Sequence, residues 1–202
     1  MEPTDSSDTG SIPLIFLNSF INPDWGGADL ATVLIASVFI ILFLVCSAAF
    51  SGSENAFFSL PKNTLNEIKL EDSKSSKAIT YLLSHHKKLL AVILISNNFV
   101  NVGIVLLSGI IFDLVFNFSA FPILGFIIQV VLVTFLLVLL GEIMPKIYAT
   151  LNAEKIARFM AIPLLSLSKI LAWPVYLLEN STSIIDKRIA KKGHMVSVDE
   201  LN

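Results

Sequence analysis

Three stretches of this chain, Leu30–Phe50, Leu89–Phe112 and Phe121–Leu140, carry no charged residue. At about 1.5 Å of rise per residue, each is long enough as a helix to cross a hydrocarbon core of about 30 Å. Lipid offers the backbone no hydrogen-bond partner, so such a segment must satisfy its own N–H and C=O groups, and an α-helix does this within one segment. The expected fold class is therefore an all-α membrane protein with three transmembrane helices. Composition agrees: 54% hydrophobic and 15% charged residues are not the figures of a soluble domain. The only cysteine, Cys46, lies inside the first run, which excludes an intrachain disulfide and a multi-cysteine metal site. A net charge of −2 gives no reason to expect nucleic acid as a partner.

Between and beyond these runs the chain changes character. Residues 1–29 are acidic and turn-rich, with Asn22-Pro23 and Gly26-Gly27, and read as an irregular extracytoplasmic segment. They lack a basic start, so Ile12–Phe20 makes a poor signal peptide. Ser51-Gly52-Ser53-Glu54 interrupts the first run before Ala56–Leu60 resumes it. From Lys62 to Lys88, Leu65, Ile68, Ile79, Leu82 and Leu83 recur near helical spacing, which predicts one or two short amphipathic juxtamembrane helices against the bilayer lipid, broken near Ser73, Ser75 and Ser76. Ile156–Leu178 is apolar but contains Arg158, Pro163, Lys169 and Pro174, and is read as a kinked helix at the membrane surface in preference to a fourth span.

All 14 Lys and Arg lie between the first two runs or after Leu140. The positive-inside rule then puts the N-terminus outside and the C-terminus in the cytoplasm of a multi-pass protein of the inner (plasma) membrane. The expected divisions are 1–29, a membrane domain with juxtamembrane helices over 30–180, and a cytosolic tail over 181–202.

One motif stands out. Gly141-Glu142-Ile143-Met144-Pro145-Lys146 closes the third run with a carboxylate and a proline. An ionisable group at membrane depth is costly and marks a functional position by default. Pro145 has no N–H for the carbonyl four residues back, Gly141, so the helix should bend or unwind beside Glu142. Broken helices of this kind hold ions in transporters. The plainer alternative is that Glu142 marks the water interface and Pro145 ends the helix.

Polar residues on the other runs bear on that choice. Ser47 and Ser51 are one turn apart, with Glu54 near the same face, and Asn97 and Asn101 repeat the spacing on the second run. Gly52 and Gly141 would let helices approach closely. In an antiparallel three-helix bundle the hydroxyls, amide oxygens, freed carbonyl and carboxylate can converge. The result is an all-oxygen set without thiol or imidazole, suited to hard cations such as Mg²⁺, Ca²⁺ or Na⁺. Taken singly, membrane Ser and Asn more often only bond between helices. His85 and His86, beside Lys87-Lys88, read as solvated interface residues. An intramembrane hydrolase is disfavoured because Ser51 and Glu54 have no nearby base, so no catalytic residue and no enzyme activity is expected.

The segments Ser47-Ala-Ala-Phe-Ser51-Gly52-Ser53-Glu54-Asn-Ala56, Asn97-Asn98-Phe-Val-Asn101 and Gly141-Glu142-Ile-Met-Pro145-Lys146 together resemble the three signatures of the CorC/cyclin-M (CNNM) transmembrane domain, a bacterial Mg²⁺ exporter family. The resemblance covers roughly residues 30–180. It implies a homodimer of three-span protomers that moves Mg²⁺ out of the cytoplasm against Na⁺ entry. Ser47, Ser51, Asn97, Asn101, Gly141 and Glu142 then match the ion-site positions, and Gly52, Glu54 and Pro145 hold structural or gating positions. Family members usually continue into ATP-binding CBS domains, so nucleotide regulation is expected to be absent from this chain. A transport-inactive Mg²⁺-sensing scaffold needs the same ligands and is the alternative.

Overall fold

The computed structural model describes residues 27–116, 118 and 121–177. The expectations for the N-terminal segment before Gly27 and for the tail after Leu177 lie outside the described residues. The described residues form, in order and with no strand among them, the helices α1 (Gly27–Phe58), α2 (Lys62–Leu70), α3 (Lys74–Ser84), α4 (His86–Val115) and α5 (Pro122–Leu136), the π segment (Leu137–Ile143), α6 (Met144–Leu151) and α7 (Ala153–Ile170), followed by a further helical stretch over 172–177. Three stretches are long and apolar enough to cross a membrane: 30–58, 86–115 and 122–151. Only 11% of the apolar window of the first and third is buried within the protein. Leu34, Ile35, Val38 and Ile41 of α1 and Ile123, Phe126, Val131 and Phe135 of α5 are exposed, and such surfaces need an apolar solvent. The chain is a membrane protein.

Ser51-Gly52-Ser53-Glu54 interrupts the apolar run but not the helix, in keeping with the one-turn spacing of Ser47, Ser51 and Glu54: α1 runs through it for 32 residues. Its serines find partners without breaking the helix: Ser53 bonds back to the Ala49 carbonyl, and Ser51 reaches another segment. Pro145 does not end the third span either. The helix departs from α to π geometry over Leu137–Ile143, beside Glu142 as expected from the motif, and resumes as α6 with Pro145 in its first turn.

The described chain forms two compact units, one of residues up to 46 with 100–141 and the other of 47–99 with the residues from 142 onward. In the first, Gly103 admits the ring of Phe43: a Cβ there would stand 2.5 Å from the ring edge. Phe112 stacks on Phe118 at 5.3 Å, and Gly125 makes room for Phe118 in the same way.

The second unit has the larger core. Ile68 of α2, Ile79 and Leu82 of α3, Leu89 and Val92 of α4, and Ala157, Ala161 and Leu164 of α7 are almost wholly buried together. Lys62–Lys88 thus does form two amphipathic helices, but their apolar stripe is covered by protein, chiefly α7, where the sequence reading put the bilayer. The reason lies in α7 itself. Ala153, Ala157, Ala161, Leu164 and Ser168 recur at three and four and make a narrow, small-residue face on which α3 packs closely. α7 is not among the helices apolar enough to span, and it passes Pro163 unbroken, turning at Leu171 instead.

Polar contacts fix this packing. Ser73 caps α3 by accepting from the Ser76 N–H at 3.1 Å. The Arg158 guanidinium on α7 grips both carboxylate oxygens of Glu71, at 2.7 and 2.8 Å, and also donates to Glu154 one turn earlier. Ser76 donates to Glu71 as well, at 2.8 Å. With the Arg158 guanidinium first and the Ser76 hydroxyl second as donors to it, the Glu71 carboxyl is held down at about 2, and the guanidinium is raised in turn.

Candidate functional site

Four of the residues singled out in the sequence lie together in the second unit. Ser47 and Ser51, one turn apart on α1, are almost completely buried. Ser47 donates to the amide oxygen of Asn97 on α4 at 3.0 Å, and Ser51 donates to the backbone carbonyl of Glu142 at 3.4 Å. Three segments distant in sequence therefore bring two hydroxyls, an amide oxygen, a backbone carbonyl and a carboxylate-bearing residue to one stretch of α1. The sequence reading gave the freed carbonyl to Gly141 by counting four back from Pro145. The carbonyl that Ser51 on α1 meets is that of Glu142, the next residue along.

Asn101 and Gly141 belong to the other unit. Asn101 follows Asn97 by one turn on α4, and Gly141, buried within the π segment, directly precedes Glu142. Asn98 is exposed and bonds back to the Leu94 carbonyl at 2.9 Å, as expected of a residue rotated by about 100° from Asn97.

Below Ser51 the contacts between α1 and the 142–150 segment continue in register. A Cβ on Gly52 would lie 3.4 Å from the Pro145 carbonyl oxygen and 3.5 Å from the Ala149 Cβ, so glycine here permits close backbone approach. Glu54 pairs with Lys146 at 3.2 Å. Asn55 donates to the Lys146 carbonyl and to the Thr150 hydroxyl, both at 3.4 Å. The Ser51–Asn55 stretch and the Glu142–Lys146 stretch thus dock residue against residue. Sequence reasoning left Lys146 and Asn55 out of the site. The available signal was the pair of opposite charges, Glu54 and Lys146, closing the two motifs.

Behind this seam lies an apolar cavity of about 450 Å³ lined by Ala48, Ala49, Gly52, Met144, Pro145 and Phe159, among others. Among the described residues, no three of His, Cys, Asp and Glu gather as a metal cluster. The donor set at Ser47, Ser51, Asn97 and Glu142 is of another kind, neutral oxygens with one acid, which suits hard, oxygen-seeking cations and not zinc or copper.

Comparison with known proteins agrees with the motifs. The family model described as the cyclin M transmembrane N-terminal domain matches residues 38–202. A UPF0053 protein of Haemophilus influenzae (strain ATCC 51907 / DSM 11121 / KW20 / Rd) is 33% identical over 173 residues, covering 83% of this chain and 40% of that protein. The UPF0053 inner membrane protein YfjD of Escherichia coli (strain K12) is 31% identical over 130 residues, covering 63% of this chain and 29% of that protein. The chain spans less than half the length of either relative.

Proposed function

Because the chain belongs to the cyclin M transmembrane domain family, we propose that it transports Mg²⁺ out of the cytoplasm in exchange for entering Na⁺. The observation that carries this reading is the double meeting on α1, of Ser47 with Asn97 and of Ser51 with Glu142. Neutral oxygens and a single carboxylate at membrane depth can replace part of the hydration shell of Mg²⁺, which keeps its remaining waters. One acid leaves a divalent charge partly uncompensated, and that keeps binding weak enough for release. Asn101 and Gly141 enter the proposed ligand set from the family signature and their places next along the chain.

The proposed working form is a homodimer in the inner membrane with its N-terminus outside and its C-terminus in the cytoplasm. Cysteines introduced in the 62–88 segment of a Cys46→Ser background should react only with reagents that reach the cytoplasm, and labelling from outside would reverse this placement. The decisive experiment is Mg²⁺ efflux from loaded proteoliposomes, with and without an opposing Na⁺ gradient. Efflux that rises with the gradient supports exchange. Mg²⁺ binding without flux would favour a sensing scaffold.

A further inference from the structure

We propose that the apolar cavity between α1, α6 and α7 seats one acyl chain of an anionic phospholipid whose headgroup is held by Lys155. The inference is independent of which ion the protein moves.

The lining decides the class of occupant. Ala48, Ala49 and Gly52 come from α1, Met144, Pro145 and Tyr148 from α6, and Ile156, Phe159 and Met160 from α7. Phe159 is 75% exposed and Tyr148 61%, and an open apolar surface of this kind calls for an apolar partner. The volume of about 450 Å³ lies within the range of small-molecule sites, roughly 300–1,000 Å³. A helix about 10 Å across would fill that volume within roughly one turn of its length, so a hydrocarbon chain fits and a helix does not.

Charge selects the headgroup. Lys155 precedes Phe159 by four residues on α7, so the two share a face, and Lys155 is exposed. Among the described residues no carboxylate pairs with it; its neighbour Glu154 is taken by Arg158. A lysine beside apolar surface lays its stem along that surface and keeps its charge in the polar layer. Tyr148 is of the residue type that collects at the membrane–water boundary, as are Trp173 and Tyr176, both exposed on the helical stretch after α7. Cavity, boundary aromatics and cation correspond in turn to the acyl chain, the glycerol level and the phosphate of a phospholipid.

Occupancy bears on the seam. Ala48, Ala49 and Gly52 flank Ser47 and Ser51 along α1, and Met144 and Pro145 follow Glu142. A chain in the cavity therefore packs behind the residues that dock across the seam. Because it binds only the folded protein, it raises the thermal midpoint.

The experiment is native mass spectrometry of the full chain in detergent, titrated with phosphatidylglycerol or with phosphatidylcholine of the same acyl chains, with thermal midpoints read in parallel. One phosphatidylglycerol per chain should bind, several-fold tighter than phosphatidylcholine, and raise the midpoint. Lys155→Gln should weaken phosphatidylglycerol on the order of fivefold, the effect of one lysine beside an anionic headgroup, and Lys155→Arg should restore it. Ala48→Phe, or Ile156→Trp as a second filling variant, should abolish retention of both lipids. Being at an exposed site, the Lys155 substitutions test the proposal even if the filled cavity folds poorly. Equal binding of the two lipids, unchanged by Lys155→Gln, would mean ordinary boundary lipid and overturn the proposal. Retention of phosphatidylglycerol by the filling variants, or full competition by glycerol phosphate alone, would place the binding outside the cavity and also overturn it. A parent that retains neither lipid overturns it as well; if Ala48→Phe then separates associated chains on size exclusion, a second copy covers the cavity instead.

Discussion

The Ser47 hydroxyl stands 3.0 Å from the Asn97 amide oxygen, although the two residues are 50 positions apart and on different helices. The bond satisfies two polar groups that would be expensive to leave unpaired in a membrane. Under the proposed transport reading, a cation reaching Asn97 Oδ1 would compete with the hydroxyl hydrogen already there.

Asn97→Ala should weaken Mg²⁺ binding about tenfold, near the worth of one good polar contact. Asn98→Ala should leave affinity within about twofold, since that side chain is exposed and turned back on the Leu94 carbonyl. Calorimetric titration of both variants distinguishes them; equal losses would mean that α4 does not present Asn97 to the ion.

Glu142→Ala and Glu142→Gln should both abolish measurable Mg²⁺ binding and efflux, because each removes the single carboxylate of the proposed donor set while the protein stays folded. Size-exclusion chromatography checks the fold and proteoliposome flux the function. Parent-like flux in either variant would return Glu142 to the role of an interface residue.

At Gly52 the available space makes a graded prediction. A methyl group would sit at ordinary contact distance, 3.4 Å from the Pro145 carbonyl oxygen, so Gly52→Ala should fold and hold the seam. Gly52→Leu cannot fit between α1 and α6 and should cost about 1–3 kcal/mol as overpacking. Thermal midpoints in one detergent compare the two, and equal midpoints would mean the seam is looser than described.

The Glu71–Arg158 fork is the pH-sensitive joint. Glu71 is held at about 2, below the usual carboxylate range, so its contribution is complete above that range and is lost as pH falls toward 2. Hydrogen exchange of α7, taken relative to the intrinsic amide rate at each pH, should therefore lose protection on acidification in the parent. Arg158→Met should show fast exchange at neutral pH already, with a smaller acid response. Identical exchange in both proteins would show that α7 is held by its apolar face alone.

What the sequence made legible follows from where the physical signal is local. Charge-free runs of sufficient length announce helices, and Leu30–Phe50 and Leu89–Phe112 fall inside α1 and α4. Ser47, Ser51, Asn97 and Glu142 could be gathered beforehand because one-turn spacing and the cost of polarity in lipid are properties of short segments. The cover of the α2–α3 stripe was not legible, because an apolar face looks the same whether lipid or α7 lies on it. Arg158, which reads locally as an obstacle to membrane crossing, turned out to reach 87 residues back to Glu71.

The π segment Leu137–Ile143 has a consequence for anyone reading or editing this helix. An α-helix repeats its faces in steps of three and four, whereas a π turn closes one residue later and so shifts the count. Residues before Leu137 and after Ile143 thus belong to different frames, and a pattern of lipid-facing positions traced down α5 does not predict which side chains of α6 face outward. A one-residue deletion within the segment would restore a single frame. The lengthened helix would gain regularity, and Glu142 would be turned away from Ser51.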